Sequence, residues 1–168
     1  MTPPIFRCRH PGPPPVAAEC WQLPLTAEER CRCRGRRRSA HGQDLLLQLP
    51  RGEALRPGEW LCSDDPRPLW LQVQAAPEPL LLVRAEDRLA LLQAAYHLGN
   101  RHVALEIGAA ELRLLEDPVL ARLLEHRGLR LERGTGPFQP EAGAYGPGHS
   151  HSHSHSHQHS PEPRRAER

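Results

Sequence analysis

The densest group of chemically capable side chains lies near the C-terminus. There His149, His151, His153, His155, His157 and His159 occupy alternate positions, separated by Ser or Gln. In an extended chain, residues i and i+2 share a face about 6.5–7 Å apart, and the small serines let neighbouring imidazoles close on one ion. Neutral imidazole is a ligand for Ni(II), Zn(II) and Cu(II), so the tract points to a class of metal without selecting one. An imidazole with the ordinary pKa of about 6.5 loses its ligand form on acidification, so binding is expected to weaken below about pH 6. A purification tag is normally uninterrupted and terminal, whereas this tract alternates and is followed by Pro161 to Arg168. A tract of this kind gathers metal. Holding one ion in a catalytic geometry takes preorganised ligands with supporting contacts.

Other candidate ligands are scattered. His102 falls between a helix end and a strand, which would fix its backbone. His97 sits near the same helix C-terminus, where a protonated imidazole complements the dipole, so a structural role competes with a metal role. His126 fits the last turn of a second helix, and His10 and His41 carry no pattern. The five cysteines are an odd number without a CxxC pair, so a closed four-cysteine zinc cage is not expected. Cys31 and Cys33 could offer two soft ligands, but no partner motif accompanies them.

The net charge is +2, and all 22 positive side chains are arginine. The cluster from Arg30 to Arg38 has no interleaved aromatic residues and matches no recognised module, so it reads as a solvated strand edge and predicts no nucleic-acid partner. No apolar run reaches the roughly 18–20 residues that span a bilayer, and Met1 to Cys20 lacks the apolar core of a signal peptide. The expectation is a cytoplasmic protein with no membrane association. No nucleophile–base constellation or phosphate-binding glycine loop is present, so no enzymatic activity is expected.

The elements that must position these groups fall into two segments and a tail. Residues 1–76 are rich in Pro, Gly and Arg, with short strands predicted at Leu45-Leu46-Leu47-Gln48-Leu49, Trp60-Leu61-Cys62 and Trp70-Leu71-Gln72-Val73. Arg56 to Glu59 reads as the turn entering the second of these. Residues 77–136 are more periodic. Leu80 to Val83 predicts a buried strand, then a helix capped by Asp87 runs to about Leu98, with Leu89, Leu92 and Ala95 or Tyr96 on one face. Gly99 follows where a left-handed residue is wanted.

Val103, Leu105 and Ile107 alternate as in a one-sided strand, and Glu111 to Leu114 is its hairpin partner. Asp117-Pro118 opens a second helix with Val119, Leu120, Leu123 and Leu124 as its apolar stripe, ended by Gly128. Leu129 to Glu132 returns as a last strand. The fold class is therefore α+β: a small N-terminal β-rich domain (1–76), then a ferredoxin-like βαββαβ domain (77–136). Residues 137–168 form a His-rich tail with too little apolar surface to order, and are expected to be disordered.

The run Tyr96-His97-Leu98-Gly99-Asn100-Arg101-His102, followed by Val103-Ala104-Leu105-Glu106-Ile107, resembles the signature of the UreE urease accessory proteins. The resemblance extends to Leu49-Pro50-Arg51-Gly52, to Leu55-Arg56-Pro57-Gly58-Glu59, and to Pro137-Phe138 through Tyr145-Gly146 leading into the His tract. It covers most of the chain from about Arg30, and the first twenty residues match weakly. It implies an N-terminal domain likened to a chaperone peptide-binding domain, then a ferredoxin-like metal-binding domain. It also implies a homodimer in which His102 meets its two-fold mate to bind a shared Ni(II). Delivery would run to the urease apoprotein through the accessory GTPase UreG. Zn(II) or Cu(II) are alternative occupants of the same sites.

Some members of that family carry a further His pair before the second helix. Here the stretch is Leu115-Glu116-Asp117-Pro118, which leaves only Glu116 as an oxygen ligand there. Two other readings stay open at this point. One is a Ni/Zn buffer without directed transfer, and the other is a protein-interaction module with incidental histidines.

Overall fold

The computed structural model describes residues 2–142, so the six tract histidines and most of the expected tail lie outside the described residues. The described chain is α+β and rich in strands, with two domains built on separate sheets. Among the described residues no helix is long and apolar enough to cross a membrane.

The first sheet is formed by β1 (Ile5–His10), β2 (Cys20–Leu25), β3 (Arg34–Arg38), β4 (Asp44–Gln48), β5 (Trp60–Ser63) and β6 (Trp70–Ala75), with the one-turn helix α1 (Ala27–Arg30) after β2. The strand order is β2-β6-β5-β1-β4-β3. Alternate residues point inward, so Phe6, Leu23, Leu45, Leu47, Leu61, Leu71 and Val73 form the core. Both edges of this sheet are defended. Pro24 lies in edge strand β2, where its missing N–H costs no ladder bond, and the arginines of β3 hold the other edge as the sequence suggested.

The three strands expected from the sequence are present, each slightly longer or shifted. The Arg56–Glu59 turn closes with Glu59 N donating to Arg56 O at 3.1 Å. Gly58, at φ 87°, takes the left-handed position that follows a proline in a type II turn. Strands β1 and β2 carry no clean alternation in the sequence. Their partners, β4 and β5 for β1 and β6 for β2, supply the ladders that define them.

The second domain follows the order β7 (Pro77–Arg84), α2 (Arg88–Gly99), β8 (Glu106–Ile107), β9 (Leu112–Leu115), α3 (Pro118–His126) and β10 (Arg130–Pro137). Its antiparallel sheet is ordered β10-β7-β9-β8. Leu81, Val83, Leu112 and Leu114 of the sheet pack with Ala94 and Leu98 of α2 and Ala121 and Leu124 of α3. Asp87 and Asp117 cap the two helices as expected. The Asp117 carboxylate accepts from Val119 N at 2.7 Å and Leu120 N at 2.9 Å.

Several expectations need correcting. Leu89, Leu92 and Tyr96 do share a face of α2, but that face is exposed. The buried side is Ala94 and Leu98, flanked by half-buried Ala90, Leu91 and Ala95. α2 is apolar nearly all round, so periodicity could not choose its inner face. In α3, Ala121 is buried and Val119 is 74% exposed, a one-residue rotation of the expected stripe.

The strand expected over Val103 to Ile107 shrinks to Glu106–Ile107, and Ile107 is exposed. Val103 instead completes a helix end, while the Leu105 carbonyl accepts from Glu141 N at 2.7 Å. β10 continues to Pro137, and Phe138 beyond it is fully buried, so packing extends past the expected start of the tail at residue 137.

Candidate metal centre

The local sequence fixes His102 in an unusual backbone conformation. α2 ends at Gly99, and the chain continues through Asn100 to His102 at φ 56°. His102 is the single non-glycine residue with positive φ among the described residues. His102 N donates to Gly99 O at 2.9 Å and Val103 N donates to Leu98 O at 3.1 Å. This pair of bonds is a Schellman ending, with His102 in the left-handed position and Val103 packing toward Leu98. Gly99, expected in that position, is helical.

α3 ends with the same pair of bonds, Gly128 N to Glu125 O at 2.9 Å and Leu129 N to Leu124 O at 3.2 Å. There the left-handed residue is Gly128, at φ 76°. Two helix ends of one geometry thus differ in the residue at the strained position, and the one that is not glycine is an exposed histidine.

The surroundings of His102 supply few further ligands. His97 is half-buried one turn earlier, stacked edge-on against Tyr96 with ring centroids 5.5 Å apart. The His97 carbonyl accepts from the Arg101 guanidinium at 3.0 Å, which ties the helix end together. Among the described residues no three His, Cys, Asp or Glu side chains gather closely enough to hold a metal. Among the described residues of one chain, His102 therefore stands exposed with no cluster of further candidate ligands around it.

The remaining candidates have other surroundings. Glu116 pairs with Arg133 at 2.9 Å. His126 is exposed in the last turn of α3, and His41 is exposed in a turn of the first domain. His10 packs edge-on against Trp70 with ring centroids 4.7 Å apart, and its Nδ1 meets Gly12 O at 2.8 Å. Cys31 and Cys33 face different surroundings: Cys31 is exposed with its thiol toward Ala27 O, and Cys33 is buried in the first core beside Glu53 O.

Sequence reasoning missed the exposed apolar face of α2, formed by Leu89, Leu92 and Tyr96 at 58%, 59% and 66% exposure. Its signal is the apolar stripe of α2 opposite Ala94 and Leu98, which periodicity alone assigns to the core.

Two family models match this sequence. That of the UreE urease accessory protein N-terminal domain covers residues 7–69, and that of the UreE C-terminal domain covers residues 78–162, which include the His tract. The chain is similar to the urease accessory protein UreE of Parasynechococcus marenigrum (strain WH8102), 60% identical over 123 residues, covering 73% of this chain and 81% of that one. The UreE of Synechococcus sp. (strain WH7805) is 60% identical over 125 residues, covering 74% and 71% respectively. The UreE of Burkholderia pseudomallei (strain 1710b) is 51% identical over 134 residues, covering 80% of this chain and 65% of that protein. With both of its domains matched in chain order and relatives of this identity across most of its length, the chain belongs to the UreE family of urease accessory proteins.

Proposed function

We propose that this protein binds Ni(II) as cargo and delivers it for assembly of the urease active site, as a carrier without catalytic activity of its own. Membership of a urease accessory family gives it a part in urease maturation. The observation that carries the metal reading is the left-handed backbone at His102, where glycine would be less strained and an exposed imidazole stands instead. Strain of this kind persists where a side chain is needed in a fixed place.

The second domain is read as a ferredoxin-like metal-binding unit, supported by its βαββαβ order and the strand order β10-β7-β9-β8. The proposed division keeps 1–76 and 77–136 as the two domains, with the tail of the 137–168 segment beginning only after the buried Phe138. The exposed face of Leu89, Leu92 and Tyr96 belongs to the helix that ends at His102, and its proposed occupant is a second copy of the chain. A homodimer of this kind brings one His102 from each subunit to a shared ion.

Further ligands come from the tract, His149, His151, His153, His155, His157 and His159, from water, or from the recipient. His97 is the secondary candidate within the domain. The backbone at Gln139 and Glu141 is bonded to the segment that follows His102: Gln139 N donates to a Glu106 carboxylate oxygen at 2.8 Å, and Glu141 N to Leu105 O. His149 follows Glu141 by eight residues, a reach of about 26–29 Å when extended. Transfer proceeds in the cytoplasm toward the urease apoprotein through UreG. Unpaired thiols at all five cysteines suit a reducing compartment.

The test is nickel titration calorimetry with sedimentation on the full chain, on a truncation after Tyr145, and on both carrying His102→Ala. The truncated protein should keep one tight Ni(II) per dimer, and His102→Ala should abolish it. If all tight binding leaves with the tract, the carrier site at His102 is wrong and a tract-based metal buffer takes its place.

A further inference from the structure

The first domain holds a second group of potential ligands on the face of its sheet opposite the core. Cys8 of β1 and Cys62 of β5 are direct partners in the antiparallel ladder. Such partners lie with Cα atoms about 4.5–5.5 Å apart and their side chains on one face. The ladder pairs Phe6 with Ser63 and then Cys8 with Cys62, so β1 carries an extra residue, Arg7, between them. This bulge turns Cys8 away from the core side occupied by Phe6 and brings it over to Cys62. The same row continues through Trp70 of β6, which lies beside Cys62 and is 7% exposed.

The surroundings work against a free Cys62 thiolate in the metal-free protein. Cys8 Sγ donates to Asp64 Oδ1 at 3.9 Å, while Asp64 Oδ2 is held by Arg7 at 2.6 Å. Burial, the neighbouring Cys8, a thiol–thiol hydrogen bond with it, and Asp64 together push the Cys62 thiol up. His10 on the same strand is occupied with Gly12 and Trp70 and does not complete a larger ligand set. No third His, Cys, Asp or Glu closes on the pair among the described residues in metal-binding geometry. Zn(II), with four ligands, and six-coordinate Ni(II) are therefore poorly served here. A soft monovalent ion that is content with two thiolates is not.

We propose that Cys8 and Cys62 form a two-thiolate site for a soft monovalent cation of the Cu(I) class, on a different domain and with different ligand chemistry from His102. Binding releases two protons and forms two sulfur–metal bonds with no change of oxidation state. Arg7 pairs with the Asp64 carboxylate next to Cys8, which limits the repulsion between that carboxylate and the resulting negative complex. Such a site would take Cu(I) in preference to the imidazoles, which are harder ligands.

The test uses the full-length, reduced protein under anaerobic conditions with Cu(I) supplied from a chromophoric chelator. Wild type, Cys8→Ser, Cys62→Ser and, as a control, Cys20→Ser are compared. One equivalent of Cu(I) should produce a near-ultraviolet thiolate-to-metal charge-transfer band in wild type and Cys20→Ser. Both Cys8→Ser and Cys62→Ser should lose it. Alkylation mapped by mass spectrometry needs no substitution and should find Cys8 and Cys62 protected by Cu(I), with Cys20 and Cys31 labelled at an unchanged rate.

Equal labelling of Cys8 and Cys62 with and without Cu(I) overturns the site, as does a band that survives Cys8→Ser. Capture of Cu(I) by the His tract alone gives neither signal and so also overturns it. Matching protection by one equivalent of Ni(II) overturns the assignment to a two-coordinate soft ion.

Discussion

At the scale of single residues, His102 stands where glycine would fit better. A left-handed residue bearing a Cβ costs about 1–2 kcal/mol, offset in part by the greater backbone entropy that glycine loses on folding. His102→Gly should therefore raise the stability of the fold by roughly 0.5–1 kcal/mol, measured by denaturant unfolding, while tight nickel binding is lost. A residue kept for structure alone would lose stability on that change. A combined outcome of lower stability and intact nickel binding would sink the metal role. The sequence marked His102 as a candidate through its place between helix and strand, but it put the left-handed residue at Gly99. Both positions satisfy the local rules. The choice between them depends on Val103 reaching the Leu98 carbonyl and packing into the core, which is a tertiary contact. In the first domain, Cys8 and Cys62 lie far apart in the chain and share no motif, so their pairing is visible only once β1 and β5 are laid side by side.

At the scale of elements, legibility followed the clarity of the hydrophobic period. β4, β5, β6, β7, α2 and α3 were all readable, because each has an apolar run and a cap or turn at its border. β1 and β2 were not, because arginines and prolines interrupt them and their stability comes from neighbours distant in sequence. Charge networks are a further feature that no single element reveals. On the second sheet Glu111 accepts from Arg113 at 2.8 Å and from Arg84 at 3.0 Å, joining β9 and β7 to the turn after β8. Hydrogen bonding from Arg113, then from Arg84, holds the Glu111 carboxyl below its ordinary range. A depressed carboxylate pKa contributes stability above the unfolded-state value, and that contribution is lost as pH falls through the folded-state value. The arginine partners are 37% and 52% exposed, so screening keeps the effect small. Glu111→Gln should cost roughly 0.5–1 kcal/mol at pH 7, and the gap from wild type should close below about pH 4 in urea titrations. A gap that persists unchanged into acid would show that packing, not charge, is responsible.

At the scale of the whole molecule, the two domains are joined by a reciprocal pair of contacts around α1. Arg30 is buried and donates through Nη2 to Phe138 O at 2.6 Å and through Nη1 to Leu25 O at 3.0 Å. In the other direction, the buried Glu78 of β7 accepts from Ala27 N at 2.8 Å, at the start of α1. Burial lowers the Arg30 pKa from its ordinary value, and the charge of Glu78 opposes that shift. In the sequence Arg30 was one member of a basic cluster and Phe138 fell in the expected tail. They are 108 positions apart, beyond the reach of any periodicity. The junction anchors the segment that leads from β10, by way of Glu141 and the Leu105 carbonyl, toward the His tract, so it also bears on where the tract is tethered. Arg30→Met keeps the length and apolar bulk of the side chain but leaves the buried Phe138 carbonyl without its donor and Glu78 without its counter-charge. The expected cost is about 2 kcal/mol. Scanning calorimetry of the full chain should show the single transition of a coupled molecule broaden or split into two as the domains separate. Nickel affinity at His102 should fall little, because the helix end that holds it lies within one domain. If instead the variant melts in one transition at the wild-type temperature, Arg30 does not couple the domains, and the tether of the tract must rest on the bonds of Gln139 and Glu141 alone.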